Sequence, residues 1–313
     1  MILGLWGKVR FHGRRMLHRI GRPWGRVGWR FQRGVLLQIP EGVSVYVFPG
    51  EDVSKQLLRG DFELGIRRLL QDVICPGMVF VDAGANLGLY TVIASRIVGP
   101  SGRVFAFEPS RREWTRAQRS VAANSLPNAE VYRVALTDRD RPLSLNVCEP
   151  HFGAYNSVGV VTHFYAAGHG SHVERVEGRS LDSVLAEKRV GRVDILKLDV
   201  EGAEELVLRG GRNLFLHPES PMIICELSDY TAEGVGSSAT RVWDLLSSYG
   251  YRLYSIIRTD DGYRLGSCDR RARIDYEDVL ALKPAHMYTL RRKVQFPEAP
   301  AQPPSAPDLD AHA

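Results

Sequence analysis

The chain has 313 residues, of which 44% are hydrophobic and 25% charged, with a formal net charge of +5. That is ordinary for one globular domain with added segments, and no apolar run approaches the roughly 20 residues of a membrane helix. The positive charge belongs to one end: residues 1–34 hold Lys8, Arg10, Arg14, Arg15, Arg19, Arg22, Arg26, Arg30 and Arg33 and no acid, which leaves 32 Lys+Arg against 36 Asp+Glu in the body and argues against nucleic acid as a partner.

In chain order, the basic arm (residues 1–34) interleaves its cations with Leu5, Trp6, Phe11, Trp24, Trp29 and Phe31. It lacks the continuous apolar core of a secretory signal. Two readings stay open for it: a helix packing an apolar stripe on the domain, or a contact with an anionic membrane surface or acidic partner. The expected location is the cytoplasm, with the arm as the one peripheral membrane contact.

Residues 35–48 read as two short strands broken by Pro40-Glu41-Gly42. Residues 51–73 follow a helical period, with Gly60 and Gly65 as weak points. Strands and helices then alternate: strand 79–81, helix 87–98, strand 103–107, helix 111–124 with Ser110 as N-cap, strand 130–134 and strand 143–147. Residues 149–172 lack a period and form a long loop. Strand 173–177, a helix capped by Ser180, strand 193–198, helix 203–208, strand 222–225, helix 240–249 and strand 251–257 follow, and residues 287–290 are placed as a last strand.

Apolar strands separated by amphipathic helices predict an α/β fold with a doubly wound, mostly parallel sheet, Rossmann-like, over residues 35–296 with its core at 75–260. The tail 297–313 has five prolines and reads as disordered. Cys75, Cys148, Cys225 and Cys268 form no C-x-x-C pair and read as reduced thiols.

In such a sheet, ligands sit beyond the carboxyl ends of the strands. The residues there are Asp82, Glu108, the segment 135–138, Asp199 and Glu226. Asp82 opens Asp82-Ala83-Gly84-Ala85-Asn86-Leu87-Gly88, where a dinucleotide fold would have glycine. A carboxylate there repels a phosphate and suits a cation, so the pattern points to S-adenosylmethionine rather than NAD. Glu108, at the end of the next strand, either accepts both ribose hydroxyls or caps the following helix. Gly84 and Gly88 let the backbone pass close to the cofactor or only make the turn. Asn86 either positions a polar group of the cofactor or caps the helix.

The block Asp194-Ile195-Leu196-Lys197-Leu198-Asp199-Val200-Glu201-Gly202-Ala203-Glu204 resembles the FkbM-type methyltransferases. Residues 81–88, Phe107-Glu108-Pro109, Ala135-Leu136, Arg179-Ser180-Leu181-Asp182, Leu208-Arg209-Gly210-Gly211 and Glu226 agree with it, over roughly residues 60–260. The resemblance implies a seven-stranded, S-adenosylmethionine-dependent fold and O-methylation of sugars or secondary metabolites. It puts Asp82, Gly84, Asn86, Gly88 and Glu108 on the cofactor, with Ala135 and Leu136 beside the adenine.

Alternation along a strand puts Lys197 and Asp199 on one face. Asp199 is the candidate contact to the acceptor hydroxyl or to the cofactor's amino end, with Lys197 and Glu201 beside it. The plain alternative is a Lys197–Asp199 or Lys197–Glu201 salt bridge at a strand end. Tyr155, Asn156, Ser157 and Glu226 are candidate contacts to the acceptor, a small molecule or glycan with a hydroxyl. A metal shared by Asp199, Glu201 and Glu226 is the weaker reading. His151, His163, His169 and His172 match no metal spacing and read as solvated. N- or C-methylation, or a non-catalytic cofactor-binding module, are the rival functions.

Overall fold

The computed structural model describes residues 34–163, 166–290 and 294–297. The basic arm, apart from Gly34, and the tail beyond Pro297 lie outside the described residues, so the expectations for them are not addressed by it.

The strands in chain order are β1 Val35–Gln38, β2 Ser44–Val47, β3 Val79–Ala83, β4 Arg103–Phe107, β5 Ala129–Tyr132, β6 Val134–Thr137, β7 Arg141–Cys148, β8 Ser171–Ser180, β9 Ile195–Leu198, β10 Met222–Leu227, β11 Arg252–Thr259, β12 Gly262–Ser267 and β13 Glu277–Leu282. Eight of them form the main sheet in the order β12-β11-β13-β10-β9-β3-β4-β5. The pairs from β10 to β5 are parallel, whereas β13 lies antiparallel between β10 and β11, and β12 is an antiparallel edge. The sheet therefore has one strand more than the seven expected, because a tight turn before Gly262 folds β12 back on β11. The order reverses at β3, which lies between β9 and β4, and this is where an open α/β sheet leaves a crevice.

Side chains alternate across the sheet, and each face has its own core. Phe80, Val104, Ile195 and Ile224 pack with the helices Leu64–Val73 and Leu89–Val98. Val81, Phe105, Leu196 and Cys225 pack with the helices Leu181–Glu187, Glu204–Gly210 and Ala239–Ser248. Strands buried on both faces must be apolar throughout, which is why they were readable. By the same alternation Asp82, Lys197, Asp199, Glu226 and Asp278 continue the first face past the end of its apolar core.

Two expectations change. The expected strand 130–134 is split: β5 ends at Tyr132 in the main sheet, and β6 starts at Val134 in a separate sheet, β6-β8-β7. Residues 287–290 belong to a helix, Pro284–Leu290, with Pro at its first position, where its missing N–H is not needed. The long loop contains a short 3₁₀ helix, Pro150–Tyr155. Among the described residues no helix is long and apolar enough to cross a membrane.

The β1–β2 hairpin is tied to the domain by a buried ion pair. Arg67, on the helix Leu64–Val73, is 2% exposed and donates to both carboxylate oxygens of Glu41 at 2.7 and 2.6 Å, and also to the Phe62 carbonyl at 3.3 Å. Removing one partner leaves the other charge buried and unpaired. Glu41→Ala is expected to lower unfolding free energy by about 3 kcal/mol, whereas Glu41→Leu with Arg67→Met should stay within about 1 kcal/mol of the parent. Urea unfolding followed by circular dichroism checks both, and equal losses in the two proteins would contradict the argument.

Candidate active site

A cavity of about 310 Å³ opens over the carboxyl ends of β4, β3, β9 and β10. It holds most of the residues singled out from the sequence. Gly84, Asn86, Glu108, Ala135 and Leu136 line it, as do Lys197, Asp199, Glu201 and Glu226. Tyr155 and Asn156, from the long loop, line it too.

Three expected residues lie outside the lining. Asp82 is fully buried beneath it, where one carboxylate oxygen accepts the Thr91 hydroxyl at 2.6 Å and the other has no hydrogen-bond partner among the described residues. Burial pushes its carboxyl up, and the neighbouring Lys197 ammonium only partly offsets this. Gly88 begins the helix Leu89–Val98 with φ 84° and faces Ala117. Ser157 donates to the Glu201 carbonyl at 3.1 Å and so holds the strand-end turn.

The glycine turn is set by a backbone crossing. Gly84 has φ 85°, and a Cβ built on it would lie 1.7 Å from the Asp199 carbonyl oxygen. The loop after β3 and the loop after β9 thus touch where no side chain fits. Asn86 takes a left-handed φ of 49°, and its N–H donates to Glu108 at 2.9 Å. The other Glu108 oxygen accepts the Ser110 N–H at 2.9 Å. Ser110 stands at the N-cap position of the helix Arg111–Ala123 without making the side-chain cap bond. Each Glu108 oxygen accepts a backbone N–H and keeps a second lone pair. Burial, then the Glu113 carboxylate, push its pKa up to about 8.

At the next strand end Lys197 donates to Asp199 at 2.6 Å. Its ammonium lies 4.6 Å from the centre of the Tyr90 ring, within cation–π range. Burial alone would lower the Lys197 pKa, but Asp199, Glu63 and Asp82 together outweigh it and hold the ammonium charged. No Lys197–Glu201 pair forms; burial, then Asp199 and Glu204, push the Glu201 carboxyl up. The helix end is capped instead by Glu204, which accepts from the N–H groups of Val200 and Gly202 at 3.1 and 3.2 Å. Glu226 lies opposite Asp278 in the β10–β13 register. Burial and the neighbouring acids raise both, Asp278 to about 7. Among the described residues no group of three or more His, Cys, Asp or Glu side chains is arranged to hold a metal ion.

The structure adds lining residues with no sequence signal. Glu63 and Tyr90 line the cavity and are hydrogen-bonded to each other. His163, expected in solvent, lines it as well, stacked on Tyr155 with ring centres 4.1 Å apart. Chemically, the cavity offers a carboxylate for a diol at one end, and at the other several acids around one lysine. That surrounding favours positive charge.

A family model described as the methyltransferase FkbM domain matches residues 82–253. The AMB antimetabolite synthetase AmbE of Pseudomonas aeruginosa is 28% identical over 254 aligned positions, covering 68% of this chain and 12% of that protein. Methyltransferase 1 of Beauveria bassiana is 27% identical over 187 positions, covering 56% of this chain and 74% of that one. The chain thus spans a small part of the first relative and about three quarters of the second. Among solved structures, a methyltransferase FkbM from Methylobacillus flagellatus aligns with a TM-score of 0.41 and 15% identity, covering 68% of this chain and 50% of that one.

The contact between Gly84 and the Asp199 carbonyl makes a prediction that needs no ligand. Gly84→Ala is expected to destabilise the fold by about 3 kcal/mol, from the left-handed φ and the overlap together. Thermal unfolding within about 1 kcal/mol of the parent would contradict that close approach.

Proposed function

Because the chain belongs to the FkbM methyltransferase family, we propose that it transfers a methyl group from S-adenosylmethionine to a hydroxyl of a sugar or natural product. The observation that carries the reading is the sharing of one cavity by Glu108 and the Lys197–Asp199 pair. The donor set fits the cofactor. The free lone pairs of Glu108 suit the two ribose hydroxyls, Ala135 and Leu136 give an apolar wall for a base, and the acids beyond β9 suit an ammonium and a sulfonium. When bound, the cofactor supplies a methyl group on a positively charged sulfur.

The protein's own groups then have separable tasks. Glu108 holds the ribose, and the Asn86 and Ser110 N–H groups hold Glu108. Asp199 would accept the proton of the acceptor hydroxyl, while the methyl–sulfur bond of a bound cofactor would break with its electron pair left on a neutral sulfur. Lys197 fixes the Asp199 carboxylate in place through its hydrogen bond. Tyr155 and Asn156 close the cavity from the long loop and contact the acceptor, and Glu201 and Glu226 complete its polar wall. Holding two reactants in line is the larger part of the rate gain, about 7–11 kcal/mol in favourable cases, and a rigid strand-end frame supplies it.

Two outcomes are expected. Asp199→Asn should leave the cofactor bound and slow turnover by about 100-fold or more. With an isotope-labelled methyl donor and an extract of the cells that make the protein, mass spectrometry and NMR of the product should show a methyl ether. A labelled N-methyl or C-methyl product would overturn the hydroxyl reading. The second outcome concerns pH. Glu108, with its pKa at about 8, is mostly protonated at pH 7 before ligand binds, whereas a diol donates best to the carboxylate. Affinity should therefore rise with pH up to about 8, with a proton released on binding. Adenosine, which carries the diol and no titrating amine, isolates this effect in calorimetry. A flat profile, or one unchanged by Glu108→Gln, would remove Glu108 from the ribose.

A further inference from the structure

Glu63 is one of several cavity-lining residues outside the stretch matched by the family model, residues 82–253. Glu63 precedes the helix Leu64–Val73 with φ 44°, in the left-handed region. Its backbone is fixed on both sides. Its carbonyl accepts the Arg67 N–H at 3.0 Å, and the preceding Phe62 carbonyl accepts the buried Arg67 guanidinium at 3.3 Å, which Glu41 holds in turn. The side chain accepts the Tyr90 hydroxyl through one oxygen, and its other oxygen has no hydrogen bond among the described residues.

Tyr90 places Glu63 beside the reacting pair. The Tyr90 ring carries the Lys197 ammonium at 4.6 Å, and Lys197 binds Asp199 at 2.6 Å. The strand order says which end of the cavity this is. Glu108 ends β4, and three strand spacings of roughly 4.8 Å separate β4 from β10. The charges acting on Glu108 are Glu113 and Asp82, whereas Glu63 acts on Lys197 and on Asp278 of β13, the strand beyond β10. Glu63 thus stands at the end away from the ribose carboxylate, where the acceptor must lie if Glu108 holds the cofactor.

We propose that Glu63 is a specificity residue for the acceptor: its open carboxylate oxygen accepts a hydrogen bond from a second hydroxyl, adjacent to the one that Asp199 engages, so that the cavity selects a vicinal diol. This rests on the methyl-transfer reading above. Two carboxylates bridged by Tyr90 and Lys197 match two neighbouring donors, and a lone alcohol would leave one of them unpaired in the cavity, which is costly. Tyr90 acts through Glu63 as a positioning residue, since its hydroxyl fixes the other oxygen.

The test uses the full chain, labelled S-adenosylmethionine and an extract of the cells that make the protein. Periodate, which cleaves vicinal diols, is applied to one half of the extract and quenched before assay. Label incorporation should be lost from the treated half and present in the other; undiminished incorporation after periodate overturns the proposal. Glu63→Gln should raise the half-saturating amount of extract about tenfold or more, with maximal rate and cofactor dissociation constant little changed. Glu63→Asp should restore part of the loss. An unchanged half-saturation, or a loss of cofactor binding, overturns the assignment. If Glu63→Gln fails to fold by circular dichroism, Tyr90→Phe frees the same carboxylate and should shift half-saturation in the same direction; no shift then counts against the proposal. Bound cofactor with no labelled product in either half of the extract is a different failure: it removes the transferase reading, and this inference with it.

Discussion

One buried ammonium makes the strand-end surface possible. Lys197 is 3% exposed and sits among Asp82, Asp199 and Glu63. A lysine in apolar surroundings would give up its proton, and burial pushes the Asp82 and Glu63 carboxyls up while the Lys197 charge opposes that rise. Together they keep a charged, hydrogen-bonded frame in a place that alternation has removed from the apolar core. The cation is held from three directions: by Asp199 through a 2.6 Å hydrogen bond, by the Tyr90 ring beneath it, and by the field of Asp82 on the neighbouring strand β3. Its charge is largely committed to the protein, so it serves to orient Asp199 more than to attract an anion.

The backbone around this frame is strained in a consistent way. Among the described residues five non-glycine positions have positive φ, namely Glu63, Asn86, Ser125, Arg189 and Glu201. Three of them, Glu63, Asn86 and Glu201, line the cavity. Each left-handed residue costs roughly 1–2 kcal/mol, and each is held by surrounding contacts: the Arg67–Glu41 pair near Glu63, the Glu108 carboxylate at the Asn86 N–H, and the Ser157 hydroxyl at the Glu201 carbonyl. Strain that persists because its neighbours enforce it is the usual company of a site that must keep its geometry without ligand. The opposed acids Glu226 and Asp278 are a further cost of the site, since burial and neighbouring acids push both carboxyls up.

Much of this was legible in the sequence, for a definite reason. The strands β3, β4, β9 and β10 are apolar because both faces are buried, and the first acid after each run marks where burial stops. That rule alone finds Glu108, Asp199 and Glu226. It finds Asp82 as well, but misjudges its depth: Asp82 is still inside its strand, Val79–Ala83, so it lies under the cavity and not at its wall. β12 escaped because the edge strand Gly262–Ser267 has only a sparse apolar pattern, and β13 because the irregular loop before it hid its start. Asp278 was missed with its strand. Glu63 had no signal at all, since its place depends on a helix start fixed by Arg67 and Glu41, two residues that only folding brings together. His163 was read as solvated because loop residues carry no period from which a buried face could be inferred.

Two of the missed residues, unlike Tyr90 and His163, share a location. Glu63 and Asp278 both lie outside residues 82–253, while Glu108, Gly84, Asn86, Lys197 and Asp199 all lie within them. The stretch common to the family therefore carries the strand ends from β4 to β9, on which cofactor binding and proton removal are proposed to rest. The flanking segments add lining residues, among them Glu63 before β3 and Tyr276 just before β13. Such a division has a physical basis. The central strands are fixed by burial on two faces, and their end residues can hold one geometry for a ligand that does not change. A helix start outside the sheet can differ in sequence without unmaking it. Selection among acceptors is placed most cheaply there, which is where Glu63 stands.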